Sequence, residues 1–159
     1  MQAAIYFTRH GEILGQEDEL SEAGKEKLVL IRQKLLQKHF DAKIAFATDK
    51  NRTVESALQL APKAALFRSG ELRVHGNVSM IRKFHADTML KWILERVPEH
   101  KQALVVNHDA TPAVLALRFA EMKGAKVDWE NKDLLYKMVK LGRGQGVLVI
   151  GALYEFIYS

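Results

Sequence analysis

Short apolar runs alternate along the chain with segments whose apolar residues recur at helical spacing. Four runs have the length of buried strands, at residues 3–7, 44–47, 64–67 and 103–106. Helical spacing follows each of them, at about residues 21–39, 48–60, 86–97 and 112–122. Ser21 is the expected N-cap of the first helix, Thr48 and Asp49 are expected to cap the second, and Pro62 to end it. This alternation favours an α/β fold with parallel strands.

The pattern changes after residue 125. Residues 135–141 and the apolar run from Val147 to Tyr158 flank Gly142, Arg143 and Gly144. Two apolar segments around a glycine-containing turn predict an antiparallel hairpin. The length of 159 residues predicts one domain covering residues 1–159.

Composition narrows the function classes. The chain has no cysteine, so thiol chemistry and disulfides are excluded and the cytoplasm is the expected location. No apolar run approaches the length of a membrane span, and a secretory signal is not expected from the N-terminal residues. The net charge is +5, but the basic residues are scattered, without interleaved aromatics, which disfavours nucleic acid as a partner. Positive potential suits an anionic substrate instead.

Candidate chemistry lies where three predicted strands end. Residues 8–12, with the sequence TRHGE, follow the first strand; Thr48 and Arg52 follow the second; and His108 follows the fourth. The carboxyl ends of parallel strands lie at one edge of a sheet, where α/β proteins bind ligands. Each residue alone would more often be a solvated arginine or a structural histidine. Together they predict a site for an anionic group.

Four segments carry a family resemblance. They are residues 9–12 (RHGE), 20–24 (LSEAG), 47–57 (ATDKNRTVESA) and 105–108 (VVNH). In this order they resemble the motifs of the histidine phosphatase superfamily, which includes the cofactor-dependent phosphoglycerate mutases. The resemblance implies a three-layer α/β/α sandwich of the phosphoglycerate mutase type, with a mostly parallel sheet and a C-terminal antiparallel hairpin.

The same resemblance implies roles for individual residues. His10 would be the nucleophile that forms a phosphohistidine intermediate. Arg9 and Arg52 would bind the phosphoryl oxygens, and their charges would keep His10 neutral. His108 would donate a hydrogen bond to the phosphoryl group. Gln16 matches a position where the family often has an asparagine that touches phosphate.

One departure concerns the proton donor. Many family members carry a glutamate where this chain has Val74. Glu71, His75 and Asp109 are the alternatives, and Asp109 resembles the donor in the His-Asp pair of histidine acid phosphatases. An imidazole leaving group needs less help from an acid than an alkoxide does. Because it lacks this glutamate, the chain is similar to the small phosphohistidine phosphatases of the SixA type.

The sequence thus predicts a phosphatase acting on a phosphohistidine protein or another phosphorylated substrate. The alternatives are a small-molecule phosphomonoesterase of the same family and a non-catalytic phosphate-binding member. No cofactor or metal is expected, because two arginines and two histidines already supply positive charge. His75, His85 and His100 are expected at the surface.

Overall fold

The computed structural model describes residues 3–72, 83–98 and 101–158, with the backbone alone of residues 83 and 84. The strands are β1 (Ala4–Arg9), β2 (Ile44–Ala47), β3 (Ala65–Arg68), β4 (Gln102–Asn107), β5 (Gly146–Ile150) and β6 (Leu153–Ile157). The helices are α1 (Glu22–Gln37), α2 (Asn51–Leu60), α3 (Lys83–Leu94), α4 (Thr111–Met122) and α5 (Lys132–Val139), with a 3₁₀ turn at Gly70–Leu72.

The strands form one six-stranded sheet in the order β3-β2-β4-β1-β5-β6. β1 pairs in parallel with β4, which pairs in parallel with β2, and β2 pairs in parallel with β3. β5 runs antiparallel to β1, and β6 antiparallel to β5. The predicted fold class, a mostly parallel sheet that ends in an antiparallel hairpin, is confirmed.

Alternate residues of the central strands enter two separate cores. Ile5 and Phe7 pack on one face of the sheet with the buried residues of α3, α4 and α5. Ala4 and Tyr6 pack on the other face with those of α1 and α2. Strands covered on both faces need apolar residues at every position, which explains the continuous apolar runs of β1 and β4. The predicted three-layer sandwich is confirmed.

The predicted hairpin partners are wrong, although a hairpin is present. Residues 135–141 belong largely to α5, which begins after Asn131, whose side chain accepts a hydrogen bond from the backbone N–H of Leu134. Residues 147–158 are not one strand, because a turn at Gly151, with a φ of 59°, divides them into β5 and β6. The signal for α5 was the helical spacing of Leu134, Leu135 and Met138. These residues pack into the same core as Ile5 and Phe7.

The other elements follow the prediction closely. Ser21 is the N-cap of α1, since its side chain accepts a hydrogen bond from the backbone N–H of Gly24. β3 differs in character, because its residues lie exposed at the sheet edge. Over the described residues, no helix has the length and apolarity needed to cross a membrane. The cytoplasmic location stays a prediction.

Candidate active site

The carboxyl ends of β1 and β4 bring the two predicted catalytic histidines together. The backbone N–H of His10 donates to the carbonyl of Asn107 at 3.0 Å, which ties the residue after β1 to the end of β4. The imidazole rings of His10 and His108 lie 5.4 Å apart, edge to face. Both side chains are largely buried. The two imidazoles are therefore direct neighbours at this edge of the sheet.

The protonation of His10 follows from its surroundings. Its Nδ1 lies 2.8 Å from the carbonyl oxygen of Gly11. A carbonyl only accepts hydrogen bonds, so Nδ1 carries the proton and Nε2 keeps its lone pair. The pKa of His10 is lowered to about 4, mainly by burial and also by the charges of Arg52, Arg9 and Arg143, which together outweigh the opposing effect of the bond to Gly11. Near neutral pH the imidazole is therefore neutral.

Arg9 lies at the end of β1 beside His10. Its Nη1 donates to the carbonyl of Leu141 at 3.0 Å, and its Nη2 lies 3.6 Å from a carboxylate oxygen of Asp109. Its Nε is buried and has no hydrogen-bond partner among the described residues. A buried donor without an acceptor is costly, so an anion bound here would be stabilised by it.

Arg52 lies on the first turn of α2 and is held from a distant loop. Its Nη1 and its backbone N–H both donate to one carboxylate oxygen of Asp18, each at 3.1 Å. The other oxygen of Asp18 accepts from the backbone N–H of Asn51 at 2.9 Å. Burial opposes ionisation of Asp18, but these donors outweigh it and hold the pKa of the carboxyl below its usual value.

Asp18 therefore accepts hydrogen bonds from backbone N–H groups at the start of α2. The prediction that Thr48 and Asp49 would cap this helix is wrong. Thr48 and Asp49 do not cap this helix: the N-cap position is Lys50, which makes no side-chain capping bond. The Thr48 hydroxyl instead lies 2.9 Å from Nε2 of His108 and 2.9 Å from the Thr53 hydroxyl. Thr48 is thus used to orient the second histidine.

Asn107 completes the support of His108. Its side-chain oxygen accepts from the backbone N–H of His108 at 2.8 Å, and its side-chain nitrogen donates to the carbonyl of Leu72 at 2.7 Å. The buried amide thereby connects the end of β4 to the 3₁₀ turn after β3. Buried polar networks of this kind fix side-chain orientation because each broken bond leaves an unsatisfied group.

The candidate proton donors lie in different settings. Asp109 follows His108 with a φ of 52°, a strained value for a residue other than glycine, and its side chain is 70% exposed. Glu71 is exposed on the 3₁₀ turn, where its backbone N–H donates to the Ser69 hydroxyl. Val74 and His75 lie outside the described residues.

The remaining predicted residues that the structure describes are exposed. Gln16 is exposed in the turn after β1, so its proposed contact with phosphate stays a prediction. His85 is exposed, as expected, and His100 lies outside the described residues. Within the described ranges, no group of three or more histidine, aspartate or glutamate side chains is arranged to hold a metal ion.

The glycine of the LSEAG segment has a steric reason. A Cβ on Gly24 would lie 2.3 Å from the carbonyl oxygen of Glu12, so only glycine lets the first turn of α1 approach the loop after His10. The same carbonyl accepts from the backbone N–H of Ser21 at 2.9 Å. These contacts fasten the loop that follows His10.

Sequence reasoning missed Asp18 and Arg143. Asp18 lies 34 positions before Arg52, in a loop without regular spacing, and nothing in the sequence links the two residues. Arg143 lies between two glycines in a turn whose signal was taken for that of a hairpin. An arginine in a glycine-rich turn at a sheet edge was the available clue.

Comparisons with known proteins bear on the fold. No protein-family model and no curated protein matches the sequence. Solved structures do match: a SixA-type protein from Agrobacterium tumefaciens at 12% identity and a TM-score of 0.65, covering 99% of this chain and 97% of that one. The protein histidine phosphatase SixA complexed with tungstate matches at 15% identity and a TM-score of 0.59, covering 99% and 95%.

A phosphoserine phosphatase from Entamoeba histolytica, solved with 3-phosphoglyceric acid, is also similar. It matches at 16% identity and a TM-score of 0.62, over 99% of this chain and 98% of that one. At these identities the likeness establishes the fold. The chain has the phosphoglycerate mutase-like fold, as the motif resemblance implied.

Proposed function

We propose that this chain is a phosphatase that passes the phosphoryl group of its substrate to Nε2 of His10 and then to water. The hydrogen bond from Nδ1 of His10 to the Gly11 carbonyl carries the proposal, because it leaves the other ring nitrogen free to attack phosphorus. A histidine that only bound phosphate would use an N–H donor on that side instead.

In the first step, the lone pair of His10 Nε2 forms a bond to phosphorus while the bond to the leaving group breaks. The leaving group departs with the bonding electron pair and takes its proton from solvent. Negative charge on the phosphoryl oxygens is balanced by Arg9 and Arg52, whose positive charges both act on His10. His108, which Thr48 holds through Nε2, would bind the same group through its other ring nitrogen. Such catalysis depends mainly on positioning and charge stabilisation.

In the second step, a water molecule attacks phosphorus, the bond from phosphorus to Nε2 breaks, and the proton of the water passes to solvent. His10 returns to its neutral form with the proton still on Nδ1, held by the Gly11 carbonyl. Inorganic phosphate leaves. No proton needs to move through His10 in either step, which suits a histidine whose pKa is lowered to about 4.

The proton donors bear on the substrate. Of the two candidates described, Asp109 pairs with Arg9 and faces solvent, and Glu71 is exposed. Neither is buried against the histidines in the manner of a tuned general acid. This favours a leaving group that needs little protonation, so we propose a phosphohistidine protein as the substrate. An imidazole leaves more readily than an alkoxide.

A phosphomonoesterase is the second candidate. The observation that favours it is the left-handed backbone of Asp109, because strain next to a catalytic residue is often kept for function. In that case Asp109 would turn toward the leaving oxygen when substrate binds. The non-catalytic alternative is disfavoured by the protonation of His10.

A substrate panel tests the proposal. We expect wild-type protein to hydrolyse a phosphohistidine protein and an activated aryl phosphate, and sugar phosphates poorly. His10→Ala should abolish these activities. The matched control is His39→Asn, because His39 is an exposed histidine whose carbonyl accepts from the Gln102 side chain at the opposite, amino end of β4. Full turnover by His10→Ala would refute the proposal.

A further inference from the structure

The turn between α5 and β5 is fastened directly to the nucleophile segment. The backbone N–H of Gly144 donates to the carbonyls of Arg9 and His10, at 3.2 and 2.9 Å. The backbone N–H of Arg9 donates to the carbonyl of Gln145 at 3.0 Å. Arg9 also donates through Nη1 to Leu141 at 3.0 Å. The turn of residues 141–145 therefore forms one wall of the site.

Arg143 is the charged residue of this turn. Gly144 follows it with a φ of 80°, a value that reverses the chain and leaves the Arg143 side chain exposed. The backbone hydrogen bonds of Gly144 to Arg9 and His10 fix the position of the Arg143 backbone, from which its side chain extends. Its charge is near enough to contribute to the lowered pKa of His10.

Arg143 differs from the two inner arginines in its partners. Arg9 pairs with Asp109, and Arg52 pairs with Asp18. Among the carboxylates of the described residues, none forms an ion pair with Arg143. An exposed guanidinium beside an anion site, with no internal acid, is available to a ligand.

We propose that Arg143 binds a second anionic group of the substrate, a carboxylate next to the phosphoryl group, and so selects substrates that carry one. This inference rests on the proposed phosphatase function and names a specificity residue for it. In a phosphohistidine protein, the carboxylate would belong to an aspartate or glutamate beside the phosphorylated histidine.

Arg143 is expected to bind a second group and not the transferred phosphoryl group, because it lies nearer the surface than Arg9 and Arg52. The side chains of Arg9 and Arg52 are 22% and 27% exposed and frame the two buried histidines, whereas Arg143 is exposed. We therefore expect Arg9, Arg52 and the histidines to bind the phosphoryl oxygens. A residue at the rim contacts the part of the substrate that extends outward from the phosphorus atom.

Two probes that differ by one negative charge test the inference. They are meta-carboxyphenyl phosphate and meta-carbamoylphenyl phosphate, which have similar shape. For Arg143→Gln we expect a loss of roughly five- to ten-fold in kcat/KM on the carboxylate probe, mostly in KM, and under about two-fold on the carbamoyl probe. Arg143→Lys should recover part of the loss. Phosphohistidine peptides with a neighbouring aspartate or asparagine extend the comparison.

Arg96→Gln is the matched control, since Arg96 is an exposed arginine beyond the end of α3 that stacks on Trp92. It should leave the ratio between the probes unchanged. Equal losses on both probes for Arg143→Gln, or no loss on either, would overturn the inference. Binding of the same probes to the His10→Asn protein gives the comparison without turnover. If the wild-type protein were inactive, the proposed phosphatase function would be refuted. The binding measurement would still show whether the carboxylate probe is preferred.

Discussion

His10 combines burial, a neighbouring carbonyl and nearby positive charges. Because the pKa of His10 is lowered to about 4, the imidazole is neutral across the range in which a free histidine would titrate. We expect the acid limb of kcat/KM, which reports the free protein, to lie near that value and not near the ordinary value of about 6.5. Nitrogen NMR should show the proton on Nδ1. A proton on Nε2, or a pKa close to 6.5, would contradict this description.

The same shift has a consequence for stability. The unfolded chain takes up a proton at His10 more readily than the folded chain between pH 6.5 and about 4. Stability therefore falls as the pH drops through this window. Above it both states are neutral at this residue, and His10 has no effect on the pH dependence.

Asp109 distinguishes the two candidate substrates. Asp109→Asn removes the ion pair with Arg9, but the carboxylate is 70% exposed, so we expect a loss below about ten-fold with phosphohistidine. Asp41→Asn is the control, because Asp41 is an exposed aspartate paired with Lys43 next to β2. A loss of about a hundred-fold, confined to aryl phosphates with basic phenols, would identify Asp109 as a general acid.

At the level of elements, α2 depends on the loop that follows His10. Asp18→Ala removes an acceptor for Asn51 and for both donors of Arg52. We expect a loss of about 1 kcal/mol in the free energy of unfolding. KM should rise several-fold because Arg52 is no longer held. Denaturant unfolding and steady-state kinetics measure the two effects.

Ser21→Ala separates capping from catalysis. It removes the cap of α1, an element that holds no predicted catalytic residue. We expect a loss in the free energy of unfolding similar to that of Asp18→Ala, with little change in KM. Equal effects of the two variants on KM would mean that Asp18 acts on the fold alone.

The elements show what a sequence can predict. The strands β1, β2 and β4 were predictable because burial on both faces demands apolar residues throughout. The cap of α2 was not, because its acceptor comes from Asp18 in another loop. α5 was missed because Leu134, Leu135 and Met138 lie in a short segment beside a glycine-rich turn, and a turn between apolar residues is also typical of hairpins.

At the level of the whole molecule, parallel pairing of β1, β4 and β2 places Arg9, His108 and Thr48 at one edge. That convergence was predictable because strand direction follows from the alternation with helices. The position of Arg143 was not, since it depends on how α5 and its turn return to β1. Tertiary contacts of this kind leave no periodic signal in the sequence.

The charge at this edge predicts catalysis without a divalent ion. Arg9 and Arg52 supply permanent positive charge, as a metal would in other phosphoryl-transfer enzymes. Hydrolysis of an aryl phosphate should therefore continue at an unchanged rate after treatment with a chelator. Loss of activity that magnesium restores would contradict this expectation.

Phosphorylation of His10 is the central claim, and rapid quenching tests it most directly. Protein mixed with a labelled phosphohistidine substrate is denatured within one turnover, and the labelled peptide is mapped by mass spectrometry. We expect one acid-labile phosphoryl group on His10, absent from His10→Ala and present in His39→Asn. Label on another residue, or turnover without any labelled protein, would contradict it.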